Sequence, residues 1–294
     1  MSSERIHALE FDGWAPQVGA ERGDALCREL EHGGILFFPR LRFELLPAEL
    51  NLLSGASASD RNKNISLRPG AAQVRGAHAS AADLAHMREL MSRYAAAAAR
   101  LVDGLVPRYA AHRRAGATSF RPCRIDERKL SWRRDDTRMH VDAFPSNPVQ
   151  GRRILRVFSN IHPGDGVRTW VVGEPFPLFA RRFVTRTRPQ RPGAAWLLDT
   201  LGITKSRRSE YDHRMLQLHD RAKADTEYQR DGPRLQFPFP AGSTWIAFTD
   251  QVVHAALNGQ YALEQTFYLE LAGMRDRQTA PLAVLEELTG ANLA

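Results

Sequence analysis

The sequence predicts a mainly β protein with flanking helices, an antiparallel sandwich or barrel preceded by a mixed α/β N-terminal part. Three observations carry this. From Thr118 onward, short apolar or alternating stretches recur between turn residues, the texture of a sandwich or barrel. Before that point, helical spacing is mixed with a single short apolar run. Composition is ordinary for a globular chain, 43% hydrophobic and 25% charged over 294 residues. That excludes disordered, collagenous and coiled-coil chains, and the length allows a core that needs no disulfide or metal to fold.

Each element has its own signal. Glu21 to His32 has helical spacing through Ala25, Leu26 and Leu30, and Gly33-Gly34 stops it. Ile35-Leu36-Phe37-Phe38-Pro39 reads as a buried strand closed by proline. Ser59 to Gly70 is polar and bounded by turn residues, so a surface loop is expected. Ser80 to Leu105 places Leu84, Met87, Leu90, Met91, Tyr94, Ala98, Leu101 and Val102 at helical spacing, with Gly104 and Pro107 at its end. The strands expected after that are Phe120 to Ile125, Leu130 to Arg133, Arg138 to Ala143, Arg152 to Ile161 and Thr169 to Val172. Four more follow an irregular middle: Leu235 to Phe239, Ser243 to Phe248, Val252 to Leu257 and Thr266 to Leu271. A charged helical insertion covers about 206–230, and a terminal helix spans Pro281 to Leu288, with proline in its first turn and Gly290 beyond its end. The chain thus divides into a lead, 1–117, packed on a barrel, 118–273, and a C-terminal helix, 274–294.

Two cysteines, Cys27 and Cys123, are too few for a disulfide framework and read as buried thiols. The N-terminus shows no basic region followed by an apolar stretch, and no run approaches the length of a spanning helix. A soluble, cytoplasmic protein is the expectation. The net charge is +8, and only four lysines occur, so 37 of the 41 basic residues are arginine. Genomic base composition is one explanation. A basic chain is still drawn to anionic partners: nucleic acid, a membrane surface or an acidic glycolipid.

One constellation points to chemistry. On a strand over Arg138 to Ala143, alternation would put His140 and Asp142 on the same face. His254 lies 112 residues beyond Asp142, on another expected strand of the same barrel. Two histidines and one carboxylate form the facial triad of non-haem Fe(II) oxygenases, with positions left open. Among ten histidines a His-x-acid arises about once by accident, so its context in the strand-rich region carries the argument. His213 and His219 fall in the charged insertion, and a spacing of six does not stack them on one helix face.

An oxygenase of this ligand set usually needs an electron donor, and 2-oxoglutarate is the common one. Its far carboxylate calls for a fixed cation. No Lys or Arg occurs between His254 and Arg275, but the strand after the His-x-Asp strand places Arg152, Ile154, Arg156, Phe158 and Asn160 on one face. Arg156, mid-strand among apolar residues, is costly to bury without an anionic partner. It is the candidate anchor, with Asn160 beside it as a second contact. A buried acidic neighbour would satisfy Arg156 equally well.

Longer strings carry a resemblance: Gly33-Gly34-Ile35-Leu36-Phe37-Phe38-Pro39, Lys63-Asn64-Ile65-Ser66, Met139-His140-Val141-Asp142-Ala143-Phe144-Pro145 and Leu155-Arg156-Val157-Phe158-Ser159-Asn160-Ile161. With His254, they resemble the Kdo hydroxylases, a family of the double-stranded β-helix (cupin-like jelly-roll barrel) Fe(II)/2-oxoglutarate-dependent dioxygenases. The resemblance implies His140, Asp142 and His254 as iron ligands, and 2-oxoglutarate and O2 as co-substrates. It also implies hydroxylation at C3 of the 3-deoxy-D-manno-oct-2-ulosonic acid (Kdo) sugar of lipopolysaccharide, giving D-glycero-D-talo-oct-2-ulosonic acid. Such an enzyme would decarboxylate 2-oxoglutarate to succinate and meet a Kdo-bearing lipid A precursor at the cytoplasmic face of the inner membrane. Arg138, on the His140 strand face, and the Lys63, Asn64 and Ser66 loop are the candidates for binding the sugar. The Arg152-Arg153, Arg181-Arg182 and Arg207-Arg208 pairs are candidates for peripheral contact with anionic lipid.

Other readings stay open. One is a 2-oxoglutarate hydroxylase of another substrate, such as a protein side chain. Another is a basic nucleic-acid-binding protein without catalysis, although no recognisable nucleic-acid motif is present. A third is a non-catalytic barrel holding some other metal, since ligand identity alone does not separate Fe from Co or Mn.

Overall fold

A computed structural model describes residues 5–11, 13–55, 57–58, 64–125 and 131–294. Its elements run β1 (Ile6–Ala8), α1 (Ala20–Glu31), β2 (Ile35–Phe38), α2 (Pro47–Gly55), β3 (Ser57–Ala58), β4 (Ile65–Leu67), β5 (Ala77–His78), α3 (Ala81–Leu105), β6 (Arg113–Arg121) and β7 (Arg153–Asn160). They continue with β8 (Arg168–Val172), α4 (Phe176–Phe183), α5 (Ala194–Thr200), α6 (Glu210–Ala224), α7 (Thr226–Asp231), β9 (Leu235–Phe239), β10 (Thr244–Phe248), β11 (His254–Ala256), β12 (Ala262–Leu269) and α8 (Pro281–Thr289).

Strands β2, β7 and β10 are buried along their whole length, so each needs cover on both faces. They lie inside a seven-stranded sheet of order β1-β2-β10-β7-β12-β6-β4, in which only β1 and β2 run parallel. Its outer face carries Leu36, Leu155, Val157, Ile246 and Phe267 against Leu26 and Leu30 of α1 and Leu101, Val102 and Leu105 of α3. Its inner face carries Phe37, Phe158 and Trp245, packed on Trp170, Val172 and Phe239 of a three-stranded sheet, β11-β8-β9. The two sheets face each other as the halves of a jelly roll and do not join into a closed barrel.

The residues explain the elements. Ser80 caps α3 by accepting from the Asp83 amide. Gly104 lies inside the last turn of α3, where a Cβ would meet the Pro16 carbonyl at 1.9 Å, so close approach rather than helix termination requires it. Ser209 and Asp212 form a reciprocal capping box at the start of α6. Pro281 opens α8, and Gly290 closes it with φ 63°.

Within the 1–117 lead, β1, β2 and β4 extend the large sheet, and β6 begins at Arg113. Several expectations need correction. Part of the expected 59–70 surface loop is strand β4, whose Ile65 and Leu67 are buried; residues 59–63 lie outside the described ones. Residues 132–134 form a turn instead of a strand. Helical structure between the sheets starts at Phe176, well before 206. Cys27 is buried but Cys123 only partly. Among the described residues no helix is long and apolar enough to cross a membrane.

Of the Arg152-Arg153 pair, Arg152 is half-buried and Arg153 is not a surface feature. Arg153 and Asp250 are both fully buried, with Nε to Oδ2 at 2.7 Å, and Arg153 Nη2 donates to Gln251 Oε1 at 2.6 Å. The guanidinium lies 4.1 Å from the Phe248 ring centroid. Removing one partner strands the other charge. Arg153→Met is therefore expected to cost about 3–5 kcal/mol in urea unfolding, and Arg153→Met with Asp250→Leu to recover much of it. A single-variant loss below about 1 kcal/mol, the size typical of an exposed pair, would show that this pair is not structurally required.

Candidate metal centre

The segment 138–142 crosses between the two sheets without being a strand. Its backbone groups find partners one by one, as a buried segment must. The Met139 amide donates to Gln229 Oε1 at 2.8 Å, and Gln229 Nε2 donates back to the Met139 carbonyl at 3.0 Å. His140 exchanges two backbone bonds with His254, at 3.0 and 2.8 Å, the only ladder contact the segment makes among the described residues. The Val141 carbonyl accepts from His219 Nδ1 at 2.8 Å. The Asp142 amide donates to the Thr249 carbonyl at 2.8 Å, at the end of β10. One end is thus tied to the small sheet and the other to the large one, with α6 and α7 filling the gap. The expected strand over 138–143 is absent because only His140 has a ladder partner, while Met139 and Val141 bond side chains and Asp142 bonds a single carbonyl just past β10.

This crossing assembles the three residues that the sequence singled out. One ligand atom each of His140, Asp142 and His254 lies within 4.8 Å of the others, and all three residues are buried. The mutual backbone pair sets the two rings 4.7 Å apart. His140 Nδ1 donates to the Arg138 carbonyl at 2.7 Å, and His254 Nδ1 donates to the Val252 carbonyl at 2.8 Å. With both Nδ1 protons so committed, each Nε2 lone pair is left for a metal. Burial lowers both imidazole pKa values, and each histidine also feels its charged neighbours, so both are neutral ligands near pH 7. Trp170 stacks on His254 at 5.0 Å and 21°.

The carboxylate is held ionised. Burial alone would raise the Asp142 pKa, but Arg156 and then His254 outweigh it, and the pKa falls to about 2. Asp142 Oδ2 is buried without a hydrogen-bond partner and lies 3.3 Å from Arg156 Nη2. A buried carboxylate oxygen without a donor, beside two neutral imidazoles with directed Nε2 atoms, fits a divalent transition metal.

The remaining sequence candidates divide. Arg156 sits on the inner face of β7, as alternation requires, and is buried at 8% exposure. Besides Asp142 it meets Glu264 Oε1 at 2.9 Å, and its Nε has no partner. Glu264 in turn accepts from Arg121 at 2.6 Å. Asn160 is not at the centre. Its Nδ2 donates to the Gly166 and Phe239 carbonyls and its Oδ1 accepts from the His162 amide, so it clips the end of β7. The Arg138 side chain is engaged by Asp135 and the Lys223 carbonyl, so it does not offer its guanidinium to the cavity; the Arg138 carbonyl is what serves the site. Ser66 is opposite Ser119 of β6, which is opposite Glu264 of β12, so Ser66 shares the Arg156 face. Asn64 is half-buried, with an unpartnered Oδ1. Lys63 lies outside the described residues.

Four residues escaped the sequence reading. Arg121 and Glu264 owe their roles to the register of β12 against β6 and β7. Gln229 and His219 come from the helical insertion. The spacing argument set His219 aside, yet its ring meets His140 edge-on at 4.9 Å without help from His213.

A family model described as 3-deoxy-D-manno-oct-2-ulosonic acid (Kdo) hydroxylase matches residues 13–292. Among solved structures, the chain is similar to the Kdo hydroxylase KdoO, a non-heme Fe(II) alphaketoglutarate dependent dioxygenase, in complex with alphaketoglutarate and Fe(III). Identity is 43%, covering 98% of this chain and 97% of that one, with a TM-score of 0.93. The KdoO complex with cobalt(II) gives 44% identity, the same coverage and a TM-score of 0.94. The complex with succinate and Fe(III) gives 44%, again with that coverage, and a TM-score of 0.92. A search of curated protein sequences returns no match.

Replacing His254 with Ala is expected to abolish Fe(II) or Co(II) binding while circular dichroism stays native. Gln229→Leu should weaken metal binding about tenfold to a hundredfold in a chelator competition, because the ligand-bearing segment loses its clamp. An unchanged affinity in Gln229→Leu would mean that the segment holds its shape without α7.

Proposed function

The chain belongs to the Kdo hydroxylase family, and on that footing we propose that it hydroxylates C3 of Kdo in a Kdo-bearing lipid A precursor, yielding D-glycero-D-talo-oct-2-ulosonic acid. It is an Fe(II)/2-oxoglutarate-dependent dioxygenase. The observation that carries this reading is the convergence of His140, Asp142 and His254 beside a buried Arg156. These three would hold the iron, and Fe(II) with 2-oxoglutarate and O2 supplies the oxidising power that turns C–H into C–OH, leaving succinate and CO2.

The residues of the chain arrange the rest. The charges of Arg121 and Arg156 cancel those of Glu264 and Asp142. A divalent cation adds two positive charges that a dianionic 2-oxo acid would neutralise, so a loaded site balances with both and not with the metal alone. Arg156, with Nε unpartnered and Nη1 shared with Glu264, is proposed as the anchor of the far carboxylate. Phe158, Trp170 and Trp245 wall the space between the sheets and exclude water. Lys63, Asn64 and Ser66 are proposed to meet the sugar. Phe144, 5.4 Å below the Arg156 guanidinium, supports that side chain from beneath. Peripheral contact with the inner membrane follows from a lipid-borne acceptor.

Turnover of a Kdo acceptor should release succinate and add one oxygen to the Kdo residue by mass spectrometry. Arg156→Ala is expected to raise the KM for 2-oxoglutarate about tenfold to a hundredfold, the worth of a charged hydrogen bond. The KM for the sugar should change little; the reverse pattern would reassign Arg156 to the sugar. Anaerobic Fe(II) and 2-oxoglutarate should together give a weak visible charge-transfer band that His140→Ala lacks. Succinate release with a protein substrate and none with Kdo would favour the other hydroxylase reading.

A further inference from the structure

Large apolar side chains cluster where nothing among the described residues covers them. Trp196, Leu197, Leu201 and Ile203 are 59%, 50%, 62% and 53% exposed. They occupy α5 and the turn after it, and they are half of the large apolar side chains that the described residues leave exposed. The backbone fixes their direction. The Leu201 amide bonds the Leu197 carbonyl at 3.0 Å, and the Ile203 and Thr204 amides both bond the Leu198 carbonyl, at 2.9 and 3.2 Å. Ala195 and Thr204 point inward and are buried. A cluster held outward in this way marks a contact surface.

Its surroundings are predominantly basic. Between Glu174 and Glu210 the sequence has eight basic residues and a single acid, Asp199. Arg182 and Arg186 are paired with Glu174 and Asp225, while Arg188, Arg191, Lys205 and Arg207 are exposed. Two more exposed cations, Arg68 and Arg75, lie close enough to Lys205 to act on its charge. The Lys205 pKa is lowered by partial burial and then by these two arginines.

The patch is joined to the active site. The Lys205 amide donates to the Ser146 carbonyl at 3.0 Å, and Arg208 Nη2 donates to the Pro145 carbonyl at 2.7 Å. Those residues directly follow Asp142 and Phe144, the latter lying under Arg156.

We propose that α5 and the turn to Ile203 dock on an anionic lipid bilayer, with Trp196, Leu197, Leu201 and Ile203 entering the acyl boundary and Arg191, Lys205, Arg207, Arg68 and Arg75 meeting phosphates. An apolar cluster ringed by cations has the build of an interfacial element, and tryptophan is suited to that depth. A second copy of the chain fits less well, because it would bring two sets of like charges together. The proposal deepens the reading of a lipid-borne Kdo acceptor: docking here would seat the bilayer beside the loop that leaves the metal centre.

The test is flotation of the full chain with vesicles of phosphatidylcholine, alone or mixed with phosphatidylglycerol, without any substrate. Wild type should bind the mixed vesicles and be released by salt. Trp196→Ser with Leu201→Ser should bind about tenfold or more weakly, as the loss of two buried apolar side chains implies. The same variant should match wild type in succinate release with a delipidated Kdo oligosaccharide and fall behind it with Kdo lipid in vesicles. Wild type that ignores anionic vesicles, or a double variant that binds them equally well, would overturn the proposal. So would a dimer, seen by light scattering, that the double variant loses while neither protein binds vesicles. Vesicle binding lost in the double variant, with no turnover of any Kdo acceptor by wild type, would uphold docking and count against the hydroxylase reading.

Discussion

Two backbone hydrogen bonds between His140 and His254 are the constraint on which this molecule's chemistry rests. They are the only ladder contact of the segment 138–142 among the described residues, and they oppose two histidines that are far apart in sequence. The ring separation, the freedom of both Nε2 atoms and the placement of Asp142 between the sheets all follow from that pairing and from the Asp142 bond to Thr249. The helical insertion is part of the same construction. Without Gln229 and His219 the segment would leave buried amide and carbonyl groups unpaired, at a cost of about 1–3 kcal/mol each.

Around this centre lies a chain of alternating charge, Arg121 to Glu264 to Arg156 to Asp142. Each ion is buried and each is paired, which is the condition for keeping charge inside a protein. The chain joins three neighbouring strands of the large sheet to the ligand-bearing segment, so sheet register and site electrostatics are one property. Glu264 has a double task, as it pairs with Arg121 and also holds Arg156 against the β12 side of the cavity.

What could be read from the sequence follows from how local each signal is. Helix α3 was legible nearly to the residue, because its apolar spacing, its Ser80 cap and its Ala-rich interior act within a few turns. The inward face of β7 was legible because alternation is a property of the strand itself. His140, Asp142 and His254 were found on residue type and context, although the strand drawn for the first two does not exist. Their common direction arises from Gln229, His254 and Thr249, three partners between about 90 and 114 residues away, which no alternation rule encodes. Asn160 failed for a related reason: alternation gave the correct face, but the far end of the strand lies beyond the cavity. Arg121 and Glu264 required knowledge of which strands neighbour one another. The resemblance carried the sugar; periodicity and composition held no trace of it.

The ion pair between Arg156 and Asp142 has one more consequence, for the order in which the enzyme is put together. Many metal centres are clusters of like-charged or thiolate ligands that repel one another until the ion arrives, so folding waits on the metal. Here the single anionic ligand already has a cationic neighbour 3.3 Å away within the chain, and both histidines are neutral and tethered by backbone carbonyls. The three ligands therefore do not repel one another in the metal-free chain, so ligand repulsion gives folding no reason to wait on the metal.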